Sequence, residues 1–250
     1  MKRIVLITGL FAAICISGIA RASFFDEGAS SEDYHEDDVH FYDFAEAKKI
    51  LRDVYRQHPY TFYCGCRIVM KNRIMKPDLD SCGYETYSDP ERAERIEWEH
   101  IVPASWLGNQ LKCWQQGGRS NCRGLPEFDR AEGDMHNLVP AIGEINAERG
   151  ALRYAEFNAK EDGHHGKCNF IVSHDNPRAV QPAREVRGFI ARTYLYMHDT
   201  YHFRMSSRDK NLMDIWNERY PVTSWECRRN EIITTIQGKD NPYITDKCSN

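Results

Sequence analysis

The sequence predicts an α+β fold in which short strands and helices are mixed within one domain. Residues 95–102 and 135–140 are rich in β-branched and apolar side chains and stop at or next to a proline, as short strands do. Apolar residues from Val186 to Met197 recur at helical spacing, and the pattern continues over 212–218. The 250 residues contain no internal repeat, and a chain of this length suits one or two domains.

The other elements are predicted from local patterns. A helix is expected over 41–57, where apolar residues are close to helical spacing and a proline follows. Residues 60–70 are aromatic and β-branched, which predicts a strand, and residues 76–80 have the composition of a turn. The glycine- and charge-rich stretch 107–133 predicts an irregular loop held by a disulfide. A further helix is expected over 143–154.

Residues 1–22 have the features of a signal peptide. A basic start precedes the apolar run Ile4–Ile19, and Ala20-Arg21-Ala22 fits a cleavage site between small residues. An uncleaved membrane anchor is the alternative, but the apolar run is short for a membrane span. We therefore expect an exported protein with no membrane span after signal removal. The sequence does not distinguish the periplasm from secretion.

An acidic segment comes after the signal peptide. Residues 23–40 contain serine and many acids but little apolar periodicity, which predicts a flexible leader whose role is open. From Lys48 onward the chain holds 30 basic and 28 acidic residues, so the formal net charge of −4 comes from the leader. The main domain, residues 41–250, is near neutral. Its overall charge neither requires nor excludes a nucleic-acid partner, and a local basic face would have to bind one.

Eight cysteines remain once Cys15 is removed with the signal peptide. An even number in an exported chain predicts a disulfide framework. These cysteines are Cys64, Cys66, Cys82, Cys113, Cys122, Cys168, Cys227 and Cys248. Short loops favour the pairs Cys66–Cys82 and Cys113–Cys122, and the other pairings stay open. A structural zinc site is the alternative, but Cys64-Gly65-Cys66 has a single intervening residue and no Cys-x-x-Cys unit accompanies it.

Two sets of polar residues are candidates for a catalytic site. Glu99 and His100 are adjacent, and Asn137 and Asn146 lie where a strand gives way to a helix. Carboxylate and amide oxygens suit a hard divalent cation, and a neutral imidazole can activate water, so together they would hydrolyse a phosphodiester. Neighbours on a regular strand point to opposite faces, so the strand must end or bend here, as Pro103 allows. Taken separately, a strand-end pair and helix-cap asparagines are the ordinary explanations.

Six stretches are distinctive in combination. They are Trp98-Glu99-His100-Ile101-Val102-Pro103-Ala104, Cys113-Trp114-Gln115-Gln116-Gly117-Gly118-Arg119, Asp134-Met135-His136-Asn137-Leu138, Ala191-Arg192-Thr193-Tyr194-Leu195-Tyr196-Met197, Tyr220-Pro221-Val222 and Trp225-Glu226-Cys227. Together they resemble the bacterial endonuclease I family of periplasmic and secreted nucleases, whose core is a ββα-metal motif. The resemblance extends from about Leu51 to Cys248.

This resemblance implies a role for each candidate residue. His100 would be the general base, and Glu99 and Asn146 would be the protein ligands of the metal. Asn137 would brace the loop between strand and helix, a structural role. Arg119 would contact the cleaved phosphate. Arg123 and Arg130 lie near it in the sequence and are alternatives for this role.

The resemblance also implies the reaction. The family cleaves DNA, and often RNA, with little sequence preference and leaves 5′-phosphate ends. We expect Mg²⁺ as the cofactor, with Ca²⁺ or Mn²⁺ as alternatives, and a monomeric enzyme. Which nucleic acid is preferred and which metal is used in the cell are open.

Two other classes of protein remain as alternatives. One is an exported, disulfide-rich protein that binds nucleic acid without catalysis. The presence of the complete set of Glu99, His100 and Asn146 argues against it. The other is a zinc hydrolase with a different substrate, but no histidine-rich ligand set supports it. His164-His165 lies between glycines and is expected to be a solvated loop.

Overall fold

The computed structural model describes residues 39–157, 163–173 and 177–248. The predicted signal peptide and nearly all of the acidic leader therefore lie outside the described residues. The helices are α1 (Phe44–Val54), α2 (Pro90–Ala93), α3 (Ala104–Gly108), α4 (Lys112–Gly117), α5 (Arg119–Cys122), α6 (Pro126–Gly133), α7 (Gly143–Arg149), α8 (Arg184–Tyr201), α9 (Ser207–Arg219), α10 (Ser224–Gln237) and α11 (Pro242–Cys248). The strands are β1 (Arg67–Lys71), β2 (Ile74–Asp78), β3 (Ile96–His100), β4 (Leu138–Ile142), β5 (Arg153–Tyr154), β6 (Ile171–Val172) and β7 (Ala179–Gln181). This mixture of helices and small sheets confirms the α+β prediction.

An antiparallel pair of strands leads directly into a helix at the centre of the fold. Strand β3 pairs with β4, with His100 opposite Leu138, and α7 comes after β4 without an intervening residue. All five residues of β4 are buried, which its apolar sequence allows. Both strands were predicted. The helix is shorter than predicted because Gly150, at φ 49°, takes the chain out of the helix after Arg149.

Helix α7 is anchored by a carboxylate near its first turn. The buried Glu144 accepts hydrogen bonds from the Tyr84 hydroxyl (2.6 Å) and from the backbone N–H groups of Ser88 (2.5 Å) and Asp89 (2.7 Å). His165 donates from Nε2 to Glu148 (2.8 Å) on the same helix and stacks on Tyr84. The prediction of a solvated loop was therefore wrong for His165, which is buried, whereas His164 beside it is exposed.

The first hairpin differs from the prediction. Strands β1 and β2 pair with Met70 opposite Met75, and the turn between them is Asn72-Arg73, both residues at positive φ. The predicted turn over 76–80 was wrong for its first three residues, which belong to β2. The register explains this, because β2 lies at a sheet edge, where the missing N–H of Pro77 costs no hydrogen bond.

Residues 104–133 form four short helices, α3 to α6, so the predicted irregular loop over 107–133 was wrong. The disulfide Cys113–Cys122 joins α4 to α5, as predicted. Gly118, at φ 68°, separates these two helices, and Pro126 begins α6 with its fixed φ. These helices have four to eight residues each, too few for a periodic apolar pattern to emerge.

Helix α8 contributes a long run of buried residues to the core. Its eighteen residues include eleven that are buried, and it packs along α9, whose Trp216 is fully buried. The amphipathic pattern from Val186 onward predicted this helix correctly. None of the helices in the described part of the chain combines the length and apolar character required to cross a membrane.

The eight cysteines beyond the predicted signal peptide all form disulfides. The pairs Cys66–Cys82 and Cys113–Cys122 confirm the prediction from loop length. The pairs that the sequence left open are Cys64–Cys168 and Cys227–Cys248. None of these eight cysteines is therefore left as a thiolate to bind zinc, which removes the structural zinc site as an alternative.

Candidate active site

An open cavity of about 690 Å³ collects the predicted site residues. Glu99 and His100 from β3, Arg119 from α5 and Asn146 from α7 all line it. Lys48 and Arg52 from one face of α1 and Arg73 from the tip of the first hairpin also line this cavity. Lys48, Arg52 and Arg73 pair with no carboxylate among the described residues, so the cavity has a basic rim.

His100 is buried at the end of β3. Its Nε2 lies 2.9 Å from the backbone carbonyl oxygen of Glu132, and the Phe44 ring packs 4.7 Å from the imidazole. A carbonyl oxygen can only accept, so Nε2 carries the proton and Nδ1 is left with a lone pair. Burial lowers the pKa of His100 to about 3, an effect that the nearby Arg119 reinforces. The imidazole is therefore neutral at physiological pH and can accept a proton at Nδ1.

Glu99 lies on the same wall of the cavity. Its Oε1 accepts a hydrogen bond from the Tyr63 hydroxyl (2.9 Å) and lies 3.2 Å from Nη1 of the buried Arg149. Burial raises the pKa of Glu99 to about 7, although Arg149 and the Tyr63 hydroxyl oppose the shift. A cation bound beside this carboxylate would remove the cost of burying its charge.

Asn146 presents its amide oxygen. Its Nδ2 donates to Oε2 of Glu97 (2.8 Å), and a carboxylate can only accept, so this bond fixes which end of the amide is the oxygen. Burial raises the pKa of Glu97, but hydrogen bonds from Arg92 and Asn146 outweigh it and the net pKa is lowered. Glu97 therefore stays ionised and holds the amide with Oδ1 free to act as a ligand.

Neighbours on a regular strand point to opposite faces, so Glu99 and His100 can share a cavity only if the strand ends or bends there. Hydrogen bonds just after β3 meet this condition. Arg149 donates to the carbonyl oxygens of His100 (2.9 Å) and Ile101 (2.5 Å). The Asn137 side chain bonds both backbone groups of Val102, because its Oδ1 accepts from Val102 N (2.7 Å) and its Nδ2 donates to Val102 O (3.0 Å). These bonds take the chain out of β3 directly after His100. The side chains of Glu99 and His100 consequently line one cavity.

Arg119 is held by the same residue that holds His100. Its Nε donates to the side chain of the buried Glu132, whose backbone carbonyl bonds the imidazole. The Arg119 Nη2 is buried without a hydrogen-bond partner in the described part of the chain. A buried donor of this kind is normally satisfied, so a phosphate oxygen is a suitable partner. Neither Arg123 nor Arg130 lines the cavity.

Sequence reasoning missed Glu132, Glu97 and the role of Arg149. A weak signal existed for two of them. Glu97 lies two positions before Glu99 and so shares its face on β3, and Arg149 lies three positions after Asn146 on α7. No local signal marks Glu132, because its contact with His100 spans 32 positions of the chain.

The donor set fits a hard cation. Glu99 and Asn146 offer a carboxylate and an amide oxygen to one cavity, as Mg²⁺ takes when it keeps most of its waters. Within residues 39–157, 163–173 and 177–248, no three His, Cys, Asp or Glu side chains cluster as a metal cage. A cation at this site would therefore depend on two protein ligands and water.

Comparison with known proteins identifies the family of this chain. The family model described as Endonuclease I matches residues 26–248. The chain is 47% identical over 205 residues to a protein of Aeromonas hydrophila named "Extracellular deoxyribonuclease", covering 82% of this chain and 89% of that protein. It is 46% identical to a "Periplasmic deoxyribonuclease" of the same organism, covering 82% and 86% of the two chains.

A third relative comes from another organism. "Endonuclease-1" of Buchnera aphidicola subsp. Baizongia pistaciae is 42% identical over 206 residues, covering 82% of this chain and 84% of that protein. The family model spans most of the chain, and these relatives align over nearly the whole of their own length. The chain therefore belongs to the Endonuclease I family.

Proposed function

We propose that this protein is a metal-dependent endonuclease that hydrolyses phosphodiester bonds of DNA. The observation that supports this most directly is the convergence of Glu99, Asn146 and the neutral His100 on one basic-rimmed cavity. Names of relatives at 46–47% identity agree, since they describe deoxyribonucleases.

His100 is the general base of the proposed reaction. Its Nδ1 accepts a proton from the attacking water, and the hydrogen bond from Nε2 to the Glu132 carbonyl stabilises the imidazolium that forms. Glu99 and Asn146 would hold Mg²⁺, with Mn²⁺ or Ca²⁺ as alternatives. When bound, such an ion polarises the phosphate and stabilises the leaving oxygen.

Arg119 contacts the phosphate that is cleaved. Its Nε is occupied by Glu132, so the guanidinium is fixed in direction while Nη2 has no partner among the described residues. A guanidinium that is already oriented stabilises charge on the phosphoryl oxygens without reorganisation during the reaction.

Little sequence preference is part of the proposal. The cationic side chains of the rim, Lys48, Arg52 and Arg73, suit contacts to phosphates, which carry no direct sequence information. Cleavage of RNA as well as DNA, and products with 5′-phosphate ends, are proposed from the family resemblance.

Export to the periplasm or the medium is proposed from the signal-like residues 1–22 and from relatives named for both locations. We also propose that the enzyme is monomeric.

Digestion of nucleic acid by the purified mature protein tests the proposed function. Supercoiled plasmid and a structured RNA are incubated with the protein in EDTA and after Mg²⁺, Mn²⁺ or Ca²⁺ is restored. We expect nicking and then fragmentation with metal and none in EDTA. End-labelling of the products identifies the phosphate end. Intact plasmid under every metal condition would contradict the proposal and favour a binding protein without catalysis, and tightly bound zinc by elemental analysis would favour a zinc hydrolase.

A further inference from the structure

A second cavity lies next to the catalytic one. It has a volume of about 520 Å³, and Ala151 lines both cavities. Helix α3 also borders both, with Ser105 on the catalytic side and Trp106 on the other. The two cavities therefore meet along the segment after α7 and along α3.

Three arginines surround this second cavity, which we call the arginine groove after Arg153, Arg178 and Arg204. The acid among its lining residues is Asp209, which is buried and already receives a hydrogen bond from Arg153 (2.9 Å). Arg178 and Arg204 are exposed and form no ion pair with any residue that the structure describes. The groove therefore carries positive charge that its own carboxylate does not neutralise.

The backbone that carries these two arginines is fixed. Arg204 comes after the fully buried Phe203, and its N–H donates to the Gln110 side chain (3.1 Å) just beyond the end of α3. Arg178 precedes Ala179, the first residue of β7, which pairs with β5. Long side chains that pair with no described carboxylate, on a backbone positioned in this way, are suited to binding an extended anion whose charges recur along its length.

We propose that the arginine groove binds backbone phosphates of the same nucleic acid that is cleaved at His100, at nucleotides outside the catalytic cavity. This inference rests on the proposed function, because it takes the ligand of the groove to be a continuation of the substrate. Guanidinium groups bind phosphate oxygens bidentately, and the shared wall at Ala151 lets one strand pass from one cavity to the other. The enzyme then holds long substrates more firmly than short ones. Digestion slows when fragments no longer reach Arg178 and Arg204.

Removal of the Arg178 and Arg204 charges tests this inference. The variant Arg178→Ala/Arg204→Ala is compared with Arg56→Ala/Arg228→Ala, which removes the same charge from exposed arginines lining neither cavity. Binding of duplexes of increasing length is measured in EDTA at several salt concentrations by fluorescence anisotropy. For long duplexes we expect about tenfold weaker binding and a log–log salt slope that is shallower by about two for the groove variant alone.

Length dependence separates a binding groove from a general effect of charge. On duplexes too short to leave the catalytic cavity, the groove variant should bind and be active as the wild type is. The charge-conserving variant Arg178→Lys/Arg204→Lys should keep the wild-type salt slope. The inference would be overturned if the groove variant had the same log–log salt slope as the control variant Arg56→Ala/Arg228→Ala. It would also be overturned if the groove variant lost the same factor in affinity at every duplex length.

The binding measurement requires no catalysis, so the two proposals fail separately. If the wild type binds duplexes with the predicted length dependence but cleaves nothing, the proposed function is wrong and the groove stands. If the wild type cleaves plasmid and the groove variant has an unchanged salt slope, only the groove is wrong.

Discussion

At the scale of single residues, the site depends on side chains whose partners fix which atom faces the cavity. The Glu132 carbonyl selects the tautomer of His100, and Glu97 selects the orientation of the Asn146 amide. Each selection arises because the partner is an acceptor that cannot donate. The atoms proposed to act, Nδ1 of His100 and Oδ1 of Asn146, are those left out of these bonds.

The proposed general base, His100, gives the first prediction. His100→Ala should lower kcat on plasmid DNA by about 10³-fold or more, because the described residues that line the cavity include no second imidazole. The variant should remain folded by circular dichroism and bind duplex DNA as tightly as the wild type. The exposed His40→Ala serves as control and should retain full activity. Rapid cleavage by His100→Ala would remove His100 from this role.

A second prediction concerns Arg119 and Glu132. Arg119→Ala should reduce kcat/KM by about 10²-fold, and Glu132→Gln by less, because it loosens the guanidinium without removing it. The double variant should be little worse than Arg119→Ala, since Glu132 acts through Arg119 while its backbone carbonyl still holds His100. Glu127→Gln, an exposed acid on the same helix, is the matched control. Fully additive losses would mean that the two residues act independently.

The pKa of Glu99 sets a pH dependence for metal binding. Burial raises this pKa to about 7, so below that pH a proton competes with the cation for the carboxylate. Affinity for Mg²⁺, measured by calorimetry without substrate, should rise about tenfold for each pH unit up to about pH 7 and then level off. Glu99→Gln should bind more weakly and lose this pH dependence. A flat profile in the wild type would show that Glu99 is not a ligand that titrates in this range.

Residue chemistry was the part of the site that the sequence predicted best. Adjacent Glu99 and His100 and the two asparagines identified four of the residues that build or brace the site. Glu132 could not be identified in this way, and the role of Arg149 was only weakly indicated, because their bonds to His100 cross 32 and 49 positions of the chain. Such pairs exist only after folding brings distant segments together.

At the scale of elements, helix α7 is the piece on which the proposed metal site depends most. It carries Asn146 between Glu144 and Glu148, and each of these acids ties the helix to a different loop. A helix of seven residues is not stable alone, so these anchors determine its position.

Loss of the Glu144 anchor should therefore lower the stability of the protein measurably. Glu144→Gln should lower the free energy of unfolding by about 2 kcal/mol, because buried N–H donors lose a charged acceptor. Burial raises the pKa of Glu144, but hydrogen bonds from Tyr84, Ser88 and Asp89 outweigh it, so the net pKa is lowered. The stabilisation by ionised Glu144 is fully present above the pKa that this carboxyl has in the unfolded chain. It is lost as pH falls through the lower pKa of Glu144 in the folded protein.

Urea titrations across pH provide the measurement. The difference in stability between wild type and Glu144→Gln should shrink in acid. The exposed Glu91→Gln on α2 should match the wild type at every pH. A Glu144→Gln variant as stable as the wild type at neutral pH would show that other contacts hold α7.

Long or strongly patterned elements were predicted, and short ones were not. The paired strands β3 and β4 and the eighteen-residue α8 each carry a pattern that extends across the whole element. Helices α3 to α6 are short and are held by a disulfide, a proline and tertiary packing. Their sequence resembles a loop because local propensity contributes little to their stability.

At the scale of the whole molecule, four disulfides connect segments of the described chain, and only some of these segments carry the candidate site. Cys113–Cys122 encloses Arg119, whereas Cys227–Cys248 ties the C-terminal helices together. The two bridges close short loops and should each contribute about 3 kcal/mol to stability. Their effects on catalysis should differ, because only one of them positions a residue of the cavity.

Removal of each bridge in turn should reveal this difference. Cys113→Ser/Cys122→Ser should lower kcat/KM on DNA by about tenfold or more even at temperatures where the protein is fully folded, since Arg119 loses its fixed position. Cys227→Ser/Cys248→Ser should be destabilised to a similar extent, with unchanged kcat/KM per folded molecule. Thermal melts define the folded range for each variant. Equal activity losses in both, or none in either, would contradict the assigned role of the Cys113–Cys122 bridge.

The Cys64–Cys168 bridge has a consequence for resistance to proteolysis. Its two ends are 104 positions apart, and Glu99, His100, Arg119 and Asn146 all lie between them. A protease that cuts the backbone once anywhere in this interval leaves two pieces that stay covalently joined, each still packed against the other. One nick in this interval therefore does not release either piece, and their separation requires a second cut or a reductant.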